Sequence, residues 1–376
     1  MNPRQRFRET LLFGKPDKIP FNPGHPREST LEAWHKQGLP EDRYYMDELF
    51  EILGIPQEPA REEVDLGVSF IMMPVFEEKV IEHKNGHYIV QDWMGAITEI
   101  SDTYDYTYIR TAKDFVTRKW HSFPVKTKAD WEEKIKWRYN PAEAGRFPED
   151  FEDRCKRLKE RDYVKRLNLN GPFWQLREWC GMEGLCYLMV EQPEFVQEMV
   201  DFWSDFVLTT MEPILERVEL DFVQFNEDMA YKLHSMISPK MARKFLLPIW
   251  KKWTDEIKAS GCPIVSIDSD GYMAELIPLW IEAGVNSCFP AEVAAGNDIV
   301  EFRKQYGTKM AFEGGIDKRA IAAGGEIMRS ELLRVIPPLL ESGGFIPGCD
   351  HGVPPDISWQ NFIEYSRLLA QLTGWL

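Results

Sequence analysis

One stretch near the end of the chain sets the pattern that decides the fold. It reads Gly343-Gly344-Phe345-Ile346-Pro347-Gly348-Cys349-Asp350-His351-Gly352-Val353-Pro354-Pro355. A short apolar pair follows two glycines and runs into a loop, in which glycines permit sharp turns and prolines stiffen the exit. A strand whose following loop carries a thiol, a carboxylate and an imidazole, at Cys349, Asp350 and His351, indicates a site. A buried cysteine beside a loop histidine would explain the same three residues, so the rest of the chain has to decide.

Similar units of an apolar run that breaks into a polar loop recur along the chain. Five precede the first stretch: Val164 to Leu169, Asp221 to Phe225, Pro263 to Ile267, Val285 to Phe289 and Lys309 to Phe312. Helical stretches separate them, one of which starts at Ser238-Pro239, an N-cap followed by proline. Two earlier runs, Ile19 to Asn22 and Val68 to Met73, bring the number of predicted strands to eight. Strands that alternate with helices predict a parallel sheet, and eight of them predict an α/β fold of the (β/α)8 TIM-barrel type.

One segment does not follow this alternation of predicted strands and helices. Lys79 to Val90 alternates around Asn85-Gly86, which is a strong hairpin signal, and the β-rich pattern continues from Ala96 to Ile109. Residues from about 126 to 165 are charged and helical. We therefore predict one domain, residues 1–376, with a β-hairpin and helical insertion at about 75–165 after the second strand. Earlier in the chain, Ser29 and Glu32 have capping-box spacing and predict a helix start directly after the loop at residues 23–27.

The composition excludes some classes of partner. The chain has 45 basic and 61 acidic residues and a net charge of −16, which opposes binding to nucleic acid or to anionic membranes. It contains no apolar run of the roughly 18 residues that a membrane span needs. The six cysteines have no disulfide-framework spacing, and the first residues lack a signal-peptide pattern. We expect a cytoplasmic protein.

Ionisable and aromatic residues collect after the predicted strands. In a (β/α)8 barrel these loops open on one face. The residues are Arg27, Trp174, Arg177, Glu227, Asp228, Asp268, Asp270, Glu292, Glu313, Asp317, Cys349 and His351. Each carboxylate alone is equally well explained as a helix N-cap or a solvated loop residue. Together they predict either a ligand set for a divalent metal or a proton-transfer site with raised carboxyl pKa values.

Several motifs in this order resemble one family. They are Pro3-Arg4-Gln5-Arg6-Phe7, Lys15-Pro16-Asp17-Lys18-Ile19-Pro20-Phe21, Leu246-Leu247-Pro248, Gly314-Gly315-Ile316-Asp317 and Gly348-Cys349-Asp350-His351-Gly352. With them the chain resembles the uroporphyrinogen decarboxylase superfamily over most of its length. The resemblance implies the (β/α)8 fold independently of the strand pattern, and it is compatible with a homodimer.

The resemblance to the decarboxylases of that superfamily is incomplete. Those enzymes use an arginine-rich first loop and a catalytic aspartate after the second strand. Here the first loop offers only Arg27, and residues 68–74 contain no aspartate. A polyanionic porphyrinogen would also meet an acidic rim of the same sign.

The second branch consists of corrinoid-dependent methyltransferases, which bind zinc through a His-x-Cys pair and a late cysteine. Cys349 keeps the late position, and Asp268-Ser269-Asp270 replaces the pair. The resemblance therefore implies a zinc site of Asp268, Asp270 and Cys349, with His351 or Glu227 as a further ligand. It also implies a partner protein that carries a corrinoid.

From these arguments we predict a zinc-dependent methyltransferase that demethylates a small compound, for example a methoxylated aromatic, and passes the methyl group to a corrinoid protein. The predicted catalytic residues are Glu227, His351 and Asp270, and the predicted substrate-binding residues are Arg27, Trp174, Arg177, Trp179 and Glu313. Trp174 and Trp179 are equally well explained as core aromatics. Two alternatives stay open: a decarboxylase acting on a porphyrinogen or another carboxylated substrate, and a binding protein without catalysis.

Overall fold

Two β-sheets and fifteen α-helices form the part of the chain that the structure describes. The computed structural model describes residues 1–56, 63–107, 110 and 116–376. The strands are β1 Lys79–Lys84, β2 His87–Gln91, β3 Ile97–Ser101, β4 Lys119–Ser122, β5 Arg166–Asn170, β6 Phe222–Asn226, β7 Ile264–Asp268, β8 Ser287–Phe289, β9 Ala311–Ile316 and β10 Phe345–Cys349. The helices are α1 Pro3–Leu11, α2 Glu28–His35, α3 Tyr45–Leu53, α4 Lys128–Asp130, α5 Phe151–Arg157, α6 Pro172–Cys180, α7 Met182–Glu191, α8 Pro193–Arg217, α9 Pro239–Phe245, α10 Leu247–Ala259, α11 Ile277–Glu282, α12 Ile299–Tyr306, α13 Lys318–Ala323, α14 Gly325–Ser342 and α15 Trp359–Thr373.

The larger sheet is parallel and has six strands in the order β10-β9-β8-β7-β6-β5. Neighbours in the sheet are also neighbours in the chain, and each pair of successive strands is joined by a segment that contains at least one helix. This arrangement confirms the α/β class and the six later predicted strands. The register places Asn170 beside Asn226, and Asn226 beside Asp268, at the carboxyl end of the sheet.

The prediction of strands at Ile19 to Asn22 and at Val68 to Met73 was wrong, because neither segment belongs to a sheet. Pro20 has no N–H to donate to a ladder. The second segment gives its backbone N–H groups to other partners: the amide of Ser69 donates to Arg146 O at 2.9 Å, and that of Met73 donates to Arg138 O at 2.8 Å. Both acceptors lie in the region predicted as an insertion.

The smaller sheet lies within that same region and is antiparallel, in the order β1-β2-β3-β4. The hairpin at Asn85-Gly86 is confirmed, since Lys84 pairs with His87 and both turn residues have positive φ. The predicted hairpin is therefore half of a four-stranded sheet. Residues Trp131–Ile135 form a π-helical turn after α4 and Lys136–Arg138 a 3-10 turn. That 1–376 is one domain with an insertion stays a prediction.

The residues of the parallel strands divide between two environments. Val223, Phe225, Val265 and Ile267 are buried in the main hydrophobic core, which includes the helices. At the amino end of the strands a second cluster joins Phe7 and Leu11 of α1 to the sheet residues Phe222, Ile264, Ala311 and Ile346. Helix α1 therefore covers the amino end of the sheet.

Two predicted helix starts had different outcomes. Ser238 is the N-cap of α9, and its side chain accepts a hydrogen bond from the Met241 amide, as predicted. The start at Ser29 was wrong, because α2 begins at Glu28 with Arg27 as its N-cap. The amide of Arg27 donates to Val353 O at 3.2 Å, and this contact fixes the chain directly before the helix.

No helix among the described residues is long and apolar enough to cross a membrane. All six cysteines are free. The cytoplasmic location stays a prediction.

Candidate functional site

The inner face of the parallel sheet is polar. In β6 the residues that alternate with the buried Val223 and Phe225 are Gln224 and Asn226. Gln224 Nε2 donates to Asn226 Oδ1 at 2.9 Å and to Asp268 Oδ2 at 3.2 Å. Parallel strands buried on both faces are usually apolar throughout, so this amide and carboxylate face indicates a site.

An acidic cluster lies where β6 and β7 end. It consists of Asp228, Asp268 and Asp270. The pKa of Asp268 is raised to about 7, chiefly by burial and in part by the charges of Asp270 and Asp228. Burial also raises the pKa of Asp228, while Arg177 opposes that shift. Carboxylates that share a confined site destabilise one another's charged forms.

Glu313 was predicted to lie in a loop after a strand, but it lies inside β9, opposite Ile346 of β10. The strand is longer than predicted because it continues through Gly314 and Gly315 to Ile316. Burial raises the pKa of Glu313 to about 6, and the positive charge of Arg166 in β5 opposes this.

His351 connects two predicted site residues. Its Nε2 lies 3.2 Å from Asp270 Oδ2, and its Nδ1 lies 3.5 Å from Arg27 Nη2. Because arginine can only donate, both contacts are satisfied when the imidazole carries its proton on Nε2. The hydrogen bond to Asp270 raises the pKa of His351. Arg27, His351 and Asp270 thus form one chain of contacts, although they come from different ends of the sequence.

Trp174 and Arg177 lie in α6 rather than in a loop. Arg177 Nη1 donates to Asp228 O at 2.8 Å, and its Nη2 pairs with Asp228 Oδ2 at 3.1 Å. The Arg177 guanidinium lies 4.7 Å from the centre of the Trp174 ring. These contacts attach α6 to the acidic cluster.

Glu227 is fully buried, and hydrogen bonds occupy both of its carboxylate oxygens. Its Oε2 accepts the backbone N–H groups of Phe173 and Trp174 at 3.0 and 3.1 Å, in the first turn of α6. Its Oε1 accepts the indole N–H of Trp250. Burial raises the pKa of Glu227 to about 7. These contacts fit an anchor for α6, and the predicted catalytic role stays a prediction.

The loop after β10 is fixed by its middle residue. Asp350 is buried and accepts the backbone N–H groups of Val293 at 2.8 Å and Lys318 at 3.2 Å. Cys349 is also buried, and burial raises the pKa of its thiol to about 12. Sequence reasoning counted Asp350 among the residues that indicate a site but gave it no specific role, and it did not single out Lys318, whose ammonium lies 2.9 Å from Glu292 Oε1.

The predicted zinc ligands do not fit a metal ion in this arrangement. Within the described ranges, no group of three or more His, Cys, Asp or Glu side chains is placed so that it could hold a metal. Zinc binding by Asp268, Asp270 and Cys349 stays a prediction.

A cavity of about 230 Å³ adjoins β5 and α6, and the three aspartates of the acidic cluster are not among its lining residues. Asn168 and Asn170 of β5 line one side of it, and Glu178 and Trp179 of α6 line another. Trp179 was predicted to bind substrate; it lines the cavity, but it is only 1% exposed and its indole N–H donates to Tyr139. Sequence reasoning missed the two asparagines because it collected only ionisable and aromatic residues, and it missed Glu178 because that residue lies in a helix and not directly after a strand.

The structure therefore brings together Arg27, His351 and Asp270, and it places Asp268 next to them. A separate open groove of about 460 Å³ reaches Asp228 and Asp270 from outside. The roles predicted for these residues stay predictions.

Comparisons with known proteins agree with this fold. A family model described as Uroporphyrinogen decarboxylase (URO-D) matches residues 169–368. Among solved structures, the chain is similar to a methyltransferase from Methanosarcina mazei, with a TM-score of 0.55, 14% identity and coverage of 100% of this chain and 98% of that one. A B12-independent methionine synthase from Shewanella sp. W3-18-1 also matches, at a TM-score of 0.37, 12% identity and coverage of 60% and 65%. No curated protein matches. The family model spans more than half of the chain, so the protein belongs to the uroporphyrinogen decarboxylase (URO-D) family.

Proposed function

We propose that the protein transfers a methyl group from a small methylated compound to a corrinoid carried by a partner protein. Family membership supports an enzyme of this superfamily, and the fold is shared with a methyltransferase. The observation that carries the proposal is the acidic cluster of Asp228, Asp268 and Asp270 at the carboxyl end of the sheet.

The cluster opposes the alternative substrate, a porphyrinogen with many carboxylates. Burial raises the pKa of Asp268 most, and the charges of Asp270 and Asp228 add to that shift, so the carboxylates of the cluster destabilise one another. A further set of anionic groups would add repulsion of the same kind. Arg27 and Arg177 do not provide a free cationic cradle, because they contact His351 and Asp228. A neutral methylated compound avoids this repulsion.

Removal of a methyl group from oxygen leaves negative charge on that oxygen, so the site has to supply a proton or a hydrogen bond. The bound corrinoid would supply the nucleophile that accepts the methyl group. The protein's part is to bind the donor, exclude water and neutralise the leaving oxygen. Of the two predicted proton donors, Glu227 is enclosed by three hydrogen bonds and His351 is held between Asp270 and Arg27.

Zinc remains a separate proposal with its own test. Because the predicted ligands are not assembled, the steps above are assigned to the protein's own groups. Metal analysis of protein equilibrated with zinc and then desalted decides the matter. One zinc per chain, lost in Cys349→Ser and Asp270→Ala, would support the site. Zinc-free protein that is folded and binds its methyl donor would overturn it.

Product analysis tests the proposed function. The full-length protein is incubated anaerobically with a reduced corrinoid protein and 1,2-dimethoxybenzene, and mass spectrometry follows the formation of 2-methoxyphenol. Demethylation that requires both proteins is the expected result. Release of CO2 from a porphyrinogen, without demethylation of any methylated compound in a broad panel, would favour the decarboxylase instead.

A further inference from the structure

The cavity beside β5 contains a carboxyl group with a free oxygen. Glu178 Oε1 accepts the indole N–H of Trp174 at 2.7 Å. Its Oε2 makes no hydrogen bond with any described residue. Glu178 lines the cavity, whereas Glu227, the donor predicted from the sequence, does not. A ligand in the cavity could therefore reach the carboxyl group of Glu178 but not that of Glu227, although both carboxyl groups contact α6 residues.

The size and the walls of the cavity fit a small aromatic ether. A cavity of about 150 Å³ can hold benzene, so 230 Å³ leaves room for one or two methoxy groups on such a ring. Phe70, Met94 and Trp93 supply apolar and aromatic surface, and Asn168 and Asn170 supply amides. Glu178 is the only ionisable carboxyl group among the lining residues.

One wall of the cavity lies at the protein surface. Ile71 lines the cavity and is 48% exposed. A methyl group that points towards this side would be open to a partner protein, while its ether oxygen points towards Glu178. Asn170 pairs in the sheet with Asn226, which places the cavity next to the polar inner face.

We propose that this cavity holds the methyl donor, and that Glu178 donates a hydrogen bond from Oε2 to the ether oxygen and then transfers that proton to it. The inference rests on the proposed function for the transfer step, but not for binding. In that step the methyl carbon–oxygen bond breaks, and its electron pair stays on the oxygen, which takes the proton and leaves as a phenol. A reduced corrinoid of the partner supplies the electron pair for the new bond to the methyl carbon. Glu178 remains as a carboxylate.

The protonation state of Glu178 agrees with this role. Burial raises its pKa to about 7, so a large fraction of the carboxyl groups carries a proton at neutral pH. The charged and titratable groups around it are Arg177 on its own helix, Asp92 and Arg118 from the region of the antiparallel sheet, and Tyr139. Arg177 and Arg118 oppose the shift, and Asp92 adds to it.

Binding of 1,2-dimethoxybenzene to the full-length protein, measured by calorimetry without any corrinoid, tests the site. This probe can only accept hydrogen bonds, so it needs the protonated carboxyl. We expect its affinity to fall by about thirtyfold between pH 6 and pH 8.5, around a midpoint near 7. Glu178→Gln keeps a neutral donor and should bind at both pH values with the affinity of the wild-type protein at pH 6. Glu183→Gln, an exposed glutamate on α7, is the matched control and should retain the pH dependence.

A second variant tests the position of the group. Trp174→Phe removes the hydrogen bond that lowers the pKa of Glu178, so the midpoint should move to higher pH while binding at pH 6 is kept. Affinity of the wild-type protein that does not change with pH, or a pH dependence that persists in Glu178→Gln, would overturn the proposal. Tetramethylammonium binding that strengthens as pH rises and is lost in Glu178→Gln would show a cation site instead. If binding behaves as expected and no methyl transfer occurs, the proposed function fails and the binding site stands.

Discussion

Replacement of Asp268 by asparagine should stabilise the protein at alkaline pH. The folded state destabilises the ionised carboxyl, whose pKa is about 7 against about 3.9 for an ordinary aspartate. If the whole difference in pKa acted on stability, ionised Asp268 would lower the free energy of unfolding by roughly 4 kcal/mol. Solvent reaches part of the side chain, so we expect about 1–2 kcal/mol. The amide Oδ1 can still accept the hydrogen bond from Gln224 Nε2.

The sign of the pH dependence distinguishes this cause from general repacking. An aspartate whose pKa is raised in the folded state does not destabilise that state at pH values below its unfolded pKa. The destabilisation then grows with pH until the pH passes the folded pKa of about 7. The gain from Asp268→Asn at pH 5 should therefore be about one third of that at pH 8. For a chain of this length it corresponds to a rise in Tm of about 1–3 °C at pH 8.

Differential scanning fluorimetry at pH 5 and pH 8 measures both values. Asp255→Asn is the control, since Asp255 is exposed on α10 and pairs with Lys251. It should leave Tm nearly unchanged at both pH values. A loss of stability in Asp268→Asn at pH 8, or an equal gain at both pH values, would refute the electrostatic account of the cluster.

Three further predictions concern buried anchoring contacts, one at the amino end of the sheet and two at the start of α6. Asp221→Ala should lower the free energy of unfolding by about 3–5 kcal/mol, because the buried carboxylate pairs with Arg161 at 2.7 Å and its loss leaves that guanidinium without a counter-charge. In the same urea titration, Glu219→Ala at a half-exposed neighbouring residue should lower it by under 1 kcal/mol. Glu227→Ala should lower the free energy of unfolding by about 3 kcal/mol, because three N–H groups lose their acceptor, and it should keep the affinity for 1,2-dimethoxybenzene. Loss of binding in a folded variant would instead support the catalytic role predicted for Glu227. Gly171→Ala should lower the free energy of unfolding by about 1–3 kcal/mol, because its new Cβ would overlap the carboxyl group of Glu227. A double-mutant cycle with Glu227→Ala should recover most of that loss, and simple additivity would contradict the contact.

The sequence was informative wherever a strand lies entirely within one apolar run. The runs at Asp221 to Phe225 and Pro263 to Ile267 became β6 and β7, displaced by one residue, because their apolar side chains pack against the helices. The run at Val68 to Met73 looked the same by composition. Its backbone donors pair with Arg138 and Arg146, and such long-range partners leave no local signal.

The site was only partly predictable for a related reason. His351 and Asp270 each follow a strand, and the carboxyl ends of parallel strands converge, so their meeting was foreseeable. Glu178 lies in the last turn of α6, where a glutamate is ordinary, and only its packing exposes it to the cavity. One available signal was overlooked: Asn168 and Asn170 alternate with leucines in β5, which predicts a polar inner face.

Methyl transfer itself is the central claim, and one anaerobic experiment tests it most directly. The protein is mixed with 1,2-dimethoxybenzene and a reduced corrinoid protein, and the corrinoid absorbance change is followed alongside the 2-methoxyphenol formed. The account predicts one phenol per methylated corrinoid, at a rate that falls at least tenfold in Glu178→Gln and is unchanged in Glu183→Gln. No methylation with any methylated compound of a broad panel, by protein that is folded and binds the probe, would contradict it.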